Sequence, residues 1–269
     1  MKHILSMCRI AVISTLILSV VDAFGVQKAL PDQRSHVQSS MYAKLYPDEP
    51  STGRRELLMW SGVSLASILL GGLPANAEET KTILITGSNS GIGLEAAKLL
   101  ADKGHTLVLA NRSKKKSMDA ISAIRSYTSA GELYPMECNL ASMKSIETFV
   151  RELPVKSLDI SCLNAGVTVN YDDMNIQRTE DGFELTVGTN HFGHFYLNHL
   201  LLSKINPNGR IVVTASGVHD PDSPGGAQGV TATLGNLEGL EKYGRNCEMI
   251  DGKPYNPDKA YKDSKVKHR

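Results

Sequence analysis

The sequence predicts an α/β fold, a Rossmann-type doubly wound parallel sheet with helices on both faces. Three observations carry this expectation. From residue 81 onward, short apolar and β-branched runs alternate with helical patterns. The first run leads into a glycine-rich turn, Thr86-Gly87-Ser88-Asn89-Ser90-Gly91-Ile92-Gly93, that opens a helix. Near the end of the chain, Tyr261 and Lys265 stand four residues apart, which sets them on one helical face.

The composition suits one sizeable domain behind a leader. Of 269 residues, 41% are hydrophobic and 21% charged. A net charge of +1 gives no reason to invoke nucleic acid. The cysteines, Cys8, Cys138, Cys162 and Cys247, show no C-x-x-C spacing, and an odd number remains once a leader is removed. That argues against a disulfide framework or a zinc site. Cys138 and Cys162 read as buried strand residues and Cys247 as a loop thiol.

Residues 1–23 read as a signal peptide, with Lys2, His3 and Arg9 ahead of an apolar run at 10–21 and a small-residue junction at Ala23. Residues 24–53 are polar and aperiodic, a transit-like linker. Residues 54–77 begin with Arg54-Arg55, continue apolar to Leu73 and end in Ala75-Asn76-Ala77, which looks like a twin-arginine transfer signal. A membrane anchor or a buried helix is the alternative. Two addresses in tandem resemble the compound leader of a nucleus-encoded plastid protein. The destination implied is the thylakoid lumen or the thylakoid membrane.

The domain occupies 78–269. Residues 81–86 form the first strand, and the glycine turn delivers it to a helix containing Leu94, Ala97 and Leu100. That arrangement sets a pyrophosphate on a helix N-terminus. A second strand at 105–110 is followed by Asn111-Arg112-Ser113-Lys114-Lys115-Lys116, with no acid to grip a ribose hydroxyl. Lysines at a helix N-terminus oppose the dipole, so an anion such as a 2′-phosphate is expected there, favouring NADP(H). A helix at about 114–128, a strand at 133–138 and a helix at 142–152 follow. The strand at 158–163 runs into Asn164-Ala165-Gly166, small residues that let a flat ring approach the backbone.

A long helix over 183–202 contains Asn190-His191-Phe192-Gly193-His194 and His199. Packing and helix hydrogen bonds are the expected work of these histidines, since no carboxylate-rich partner or second histidine cluster follows to make a metal site. Gly193 in mid-helix costs about 1 kcal/mol against alanine, so close packing or a local kink is expected. The strand at 209–216 delivers Ser216 to the carboxyl edge of the sheet. The connection 217–257 is long and rich in Gly, Pro and Asp, suited to covering a substrate. Pro257-Asp258 then opens the helix of Tyr261 and Lys265, where the ammonium is expected to depress the phenol's pKa.

Together, Thr86–Gly93, Asn164–Gly166, Asn190–Gly193, Ser216 and Tyr261–Lys265 resemble the short-chain dehydrogenase/reductase family over roughly residues 80–267. The resemblance implies a sheet of about seven strands and hydride transfer with NAD(P)H to or from a small-molecule substrate. By it, Tyr261 would donate the proton, Ser216 would orient the substrate, Lys265 would bind the nicotinamide ribose, and Asn190 would hold a relay water. Gly87, Ser88, Ser90, Gly91, Ile92 and Gly93 would cradle the pyrophosphate and Arg112 the 2′-phosphate. Asn139 and Leu140 would border the adenine, and Asn164, Ala165 and Gly166 the ribose and ring.

Within the family, the stretches 181–194, 234–240, 249–252 and 260–266 are similar to light-dependent protochlorophyllide reductases. Leu163-Asn-Ala-Gly is closer to retinol-dehydrogenase-like relatives, and Lys267 stands where the reductases carry cysteine. The family also continues for many tens of residues past the lysine. The expectation for the chain as written is an incomplete C-terminal part, an exposed sheet edge, marginal stability and lost turnover. A truncated, non-catalytic NADP-binding protein is the alternative reading, and nothing in the sequence sets an oligomeric state.

Overall fold

The computed structural model describes residues 79–266. The leader segments 1–23, 24–53 and 54–77, and Lys267, lie outside those residues. Five parallel strands form one sheet in the order β3-β2-β1-β4-β5. They are β1 (Thr82–Thr86), β2 (Thr106–Asn111), β3 (Glu132–Glu137), β4 (Leu158–Leu163) and β5 (Ile205–Val213). Helices α1 (Gly91–Asp102), α2 (Lys114–Arg125) and α3 (Met143–Arg151) connect the first four. The order reverses between β1 and β4, which opens a crevice at their carboxyl ends.

Burial explains the order. Central β1 presents Ile83, Leu84 and Ile85 at 0–1% exposure, and Leu107, Val108 and Leu109 of β2 are equally buried. Such continuous apolar runs suit strands covered on both faces. Pro135, which lacks an N–H, sits in the edge strand β3, where a missing ladder donor is tolerated. At the other edge, Ile211 and Val213 of β5 are 41% and 60% exposed. β5 begins earlier than its sequence pattern suggests and ends at Val213, with a register irregularity opposite Leu158 and Ile160. Ser216 therefore lies three residues beyond the strand, heading the 3₁₀ turn Gly217–His219.

The helical run after β4 is not one regular helix. It comprises α4 (Leu185–Val187), a π-helical segment (Gly188–Gly193), α5 (His194–Leu201) and a 3₁₀ turn (Leu202–Lys204). Of the two alternatives expected at Gly193, close packing is found. A Cβ there would lie 2.2 Å from the Leu140 carbonyl oxygen, and the π segment ends at this residue. A wider π turn within an α-helical run often marks a functional position.

The connection after Ser216 has its own organisation. It contains α6 (Glu238–Tyr243) and leads to α7 (Pro257–Asp263), capped by the Asn256 side chain accepting from Lys259 N at 2.8 Å. Met249, Ile250 and Tyr255 pack with Val187 and Ala260 in a second apolar cluster, separate from the main core around Leu84, Val108 and Phe149. Two buried lysines of α7 tie the connection down. Lys259 donates to the Thr233 carbonyl at 2.7 Å, and Lys262 donates to the Gln228 and Val230 carbonyls.

Among the described residues, no helix is long and apolar enough to cross a membrane. Cys138 and Cys162 are buried as expected, and burial pushes both thiols up to about 12, so they stay protonated. Cys247 is a buried loop thiol, raised for the same reason.

Candidate active site

A cavity of about 1110 Å³ occupies the crevice at the carboxyl ends of β1 and β4. At one end it meets the glycine turn, where Gly87, Asn89, Ser90 and Ile92 line it. Gly87 holds φ 66°, a left-handed conformation that glycine adopts without strain. A Cβ on it would lie 2.8 Å from the Ala165 Cα. A Cβ on Gly93 would lie 2.3 Å from the Gly87 carbonyl oxygen, so this turn closes only with glycine there. Ser88 and Gly93 are buried beneath the turn, and Gly91 is exposed beside it. Of the turn residues expected to touch a pyrophosphate, Ser88, Gly91 and Gly93 thus shape the cradle from outside the cavity wall, and Asn89 lines it unannounced.

At the β2 end, Asn111, Arg112 and Lys116 line the cavity. The basic run divides its labour. Lys115 pairs with Asp119 at 3.0 Å on the solvent face. Ser113 caps α2, and the Glu137 carboxylate accepts from Lys114 N at 3.1 Å. An acid does therefore reach this helix start, from the end of β3, and answers part of the dipole argument. Arg112 and Lys116 remain as cations facing the cavity. Asn111 donates to Ser88 Oγ at 3.0 Å and Ser117 Oγ at 3.1 Å, while its Oδ1 is buried with no partner among the described residues. The hydroxyl of Thr189, also on the cavity wall, is buried and unpartnered in the same sense. Orphaned polar atoms on a cavity wall fit a polar ligand.

Asn139 and Leu140 line the same space. Asn139 Oδ1 accepts from Ala141 N at 3.2 Å and its amide donates to Glu180 at 3.4 Å. Asn164 donates to the Thr86 and Gly87 carbonyls at 3.0 and 3.3 Å, which locks its turn against the glycine turn. Ala165 and Gly166 continue the wall. A Cβ on Gly166 would lie 3.4 Å from Lys265 Nζ and 3.6 Å from Asn190 Oδ1, so both polar groups converge behind it.

Ser216, Tyr261 and Lys265 meet at the far end of the cavity. The Ser216 side chain interacts with the Tyr261 phenol and acts to lower its pKa, and Lys265 Nζ lies 5.6 Å from the centre of its ring. The phenol does not behave as its spacing from lysine suggests. Burial pushes its pKa above the ordinary value and Tyr171 adds to this, while the Ser216 hydrogen bond pulls the other way. Burial also lowers the pKa of Lys265, whose ammonium lies over the ring. Tyr261 therefore keeps its proton at neutral pH.

Asn190 does not line the cavity. It is 8% exposed; its Oδ1 accepts from Val167 N at 2.7 Å, and its amide donates to the Val167 carbonyl at 2.9 Å and Ser264 Oγ at 3.0 Å. Ser264 in turn donates to the Tyr261 carbonyl at 2.7 Å. Sequence reasoning passed over Ser264, although its place between Tyr261 and Lys265 was a usable signal. Gly217, Val218, His219, Ser223, Pro224 and Gly225 close the cavity, so the start of the long connection is its wall. His219 Nδ1 donates to the Ser216 carbonyl at 2.5 Å and fixes that serine's backbone. Among the described residues, no cluster of three or more His, Cys, Asp or Glu side chains could hold a metal ion.

The sequence profile of the short chain dehydrogenase family matches residues 81–228. The protochlorophyllide reductase of Daucus carota is 39% identical over 198 residues, 69% of this chain and 48% of that protein. The Chlamydomonas reinhardtii protein of the same name is 35% identical over 196 residues, covering 70% and 49%. Mouse retinol dehydrogenase 11 is 36% identical over 150 residues, 55% of this chain and 44% of its own length. The chain spans about half the length of the curated relatives it matches. Among solved structures, a short chain dehydrogenase of Escherichia coli CFT073 complexed with NADPH superposes with a TM-score of 0.49 at 22% identity, over 71% of this chain and 69% of that one.

Proposed function

The chain belongs to the short chain dehydrogenase family, and from that premise we propose that it is an NADPH-dependent reductase of the protochlorophyllide-reductase kind. The observation that carries this reading is one continuous cavity. It runs from the glycine turn and the Arg112–Lys116 cations to a protonated Tyr261 hydrogen-bonded by Ser216. The unpartnered Asn111 Oδ1 and Thr189 hydroxyl, and a turn that added Cβ atoms would close, support a dinucleotide in that space.

When bound, NADPH supplies a hydride. The chain's own residues do the rest. The backbone of the glycine turn and Ser90 hold the pyrophosphate at the start of α1, and Arg112 with Lys116 neutralises the 2′-phosphate. Asn164, Ala165 and Gly166 would leave room for the nicotinamide against the backbone, and Lys265 would donate to its ribose. Ser216 orients the acceptor. With the cofactor supplying the hydride to one carbon of an acceptor double bond, Tyr261 would give its phenolic proton to the other atom of that bond. A phenol held above its ordinary pKa is loaded for donation, the direction a reduction needs. Asn190 acts through Val167 and Ser264, holding the wall and the catalytic helix, since both of its amide hydrogens are already engaged there.

The acceptor under this reading is the ring double bond of a tetrapyrrole, supported by the names of the plant and algal relatives, whose chloroplastic designation also supports a plastid address. The twin addresses of the leader add the thylakoid lumen or membrane to that proposal. The likeness to retinol dehydrogenase 11 supports a carbonyl or alcohol substrate as the second reading. The test is consumption of NADPH by the full chain with protochlorophyllide under illumination and, separately, with retinal in the dark. Pigment reduction that falls at least a hundredfold in Tyr261→Phe supports the first reading. Retinal reduction alone moves the assignment to the second. NADPH binding with neither activity replaces both with a non-catalytic NADP-binding protein.

A further inference from the structure

His194 is a buried histidine that the proposed chemistry leaves without a task. It is 6% exposed, and its two ring nitrogens reach two different parts of the site. Nε2 lies 2.9 Å from Thr86 Oγ1, and Nδ1 lies 3.0 Å from the Asn190 carbonyl oxygen. A carbonyl oxygen only accepts, so Nδ1 carries the hydrogen and Nε2 presents a lone pair. The Thr86 hydroxyl, whose alternative acceptor is the Cys162 carbonyl at the longer distance of 3.4 Å, then donates to Nε2. Its lone pairs are left for Asn164 N–H at 2.9 Å and Ala165 N–H at 3.0 Å, which fills its hydrogen-bonding capacity.

The second bond bears on the π-helical segment. The backbone N–H of His194 goes to the His191 carbonyl, three residues back. The ring of the same residue reaches the Asn190 carbonyl, the acceptor four residues back that an α-helix would give to that N–H. The imidazole thus satisfies a carbonyl at the point where the helix widens, and the widened turn directs the Asn190 side chain to Val167 and Ser264. Burial holds this imidazole's pKa down to about 4, with Lys265 and His191 acting in the same sense and the Asn190 carbonyl against it. The ring is neutral at physiological pH, and each nitrogen keeps its assigned part.

We propose that His194 is a positioning residue serving both halves of the site. Through Nε2 it fixes Thr86 and the Asn164–Ala165 turn on the cofactor side. Through Nδ1 it fixes the π turn that carries Asn190 on the substrate side. This rests on the reading of the cavity as a dinucleotide and substrate site.

The two functions separate by substitution in the full chain. His194→Asn places an amide nitrogen near Nδ1 and leaves Thr86 without its acceptor. His194→Gln reaches Thr86 and releases the Asn190 carbonyl. Titration of NADPH fluorescence should show about tenfold weaker binding for His194→Asn and a change within about twofold for His194→Gln, the usual scale for one buried hydrogen bond. Amide exchange at Val167, whose N–H is held by Asn190, should accelerate about tenfold in His194→Gln and change little in His194→Asn. Equal effects of the two variants on both readouts would overturn the proposal, since a merely structural histidine would not sort them. Should both variants fail to fold, the nitrogen resonances of wild-type His194 decide. An Nδ1–H tautomer upholds the assignment and an Nε2–H tautomer overturns it. If wild type does not bind NADPH, the functional reading fails, while tautomer and exchange still report on the histidine.

Discussion

Replacing Lys259 with methionine should unsettle the wall of the site without touching the cavity itself. Lys259 Nζ donates to Asp263 Oδ2 at 2.5 Å and to the Thr233 carbonyl at 2.7 Å, and lies 3.1 Å from Asp251 Oδ2. The side chains of the three charged residues are 3%, 0% and 3% exposed, so solvent does not screen them. Methionine would leave two carboxylates buried with little compensation. Lys253, 3.7 Å from Asp251, is itself 68% exposed. Breaking a buried pair from one side costs about 3–5 kcal/mol. At about 2–4 °C per kcal/mol for a domain of this size, the melting temperature should fall by about 6–20 °C.

The sign of the pH dependence follows from Asp263. Burial already raises its carboxyl against the pull of Lys259, so the folded state takes up a proton more readily than the unfolded chain. Stability from that proton is present at low pH and lost as pH rises through the folded pKa. Without Lys259 the carboxyl rises further, so the deficit should be largest near neutrality and shrink on acidification. Thermal unfolding followed by circular dichroism at neutral and mildly acidic pH measures both. The doubly substituted Lys259→Met/Asp263→Leu should recover most of the loss. A melting temperature within about 2 °C of wild type for the single variant would refute the reasoning, as it would show the cluster to be solvated.

Three further outcomes are expected. Gly193→Ala, which would set a Cβ 2.2 Å from the Leu140 oxygen, should destabilise urea unfolding by about 1–3 kcal/mol despite a helix-propensity gain of about 1 kcal/mol, and a stabilised variant would contradict the packing. Arg112→Ala should weaken NADPH binding by about ten- to a hundredfold and leave NADH affinity nearly unchanged; equal losses for both would mean that the arginine does not read the 2′-phosphate. His194, lowered from 6.5 to about 4 by burial, should give stability that is intact above about pH 6.5 and lost as pH falls toward 4, at about 1.4 kcal/mol per unit. Urea unfolding of wild type and His194→Gln across that window should diverge by this slope, and parallel curves would place the histidine's burial in doubt.

Much of the sheet was legible because parallel strands buried on both faces read as unbroken apolar runs. β4 appears at the residues its pattern marks, β1 starts one residue late, and β2 and β3 are each displaced by one residue at both ends. β5 was harder, since its first residues, Asn206-Pro207-Asn208, resemble a turn and pair only through an irregular register. The 183–202 helix was visible as a helix, but period alone does not distinguish an α from a π turn; Gly193 was the one available sign. Within the site, Ser216, Tyr261, Lys265 and the Asn164–Gly166 turn all line one cavity. Asn190 stands behind that wall. The phenol's pKa could not be read from a four-residue spacing, because burial, set by residues far apart in sequence, raises it. Asn111, Thr189 and His219 escaped the sequence because long-range placement that no local pattern carries brings them to the site, whereas Asn89 and Ser264 stood inside marked stretches and were passed over.

The most direct measurement follows one atom. NADPH labelled with deuterium at the reactive nicotinamide position should be incubated with the full chain and protochlorophyllide under light, and the product weighed. The account predicts one deuterium in the reduced pigment, transferred by wild type and by His194→Gln at a lower rate, and transferred at most about a hundredth as fast by Tyr261→Phe. Reduced pigment without the label, or label transfer undiminished in Tyr261→Phe, would contradict it.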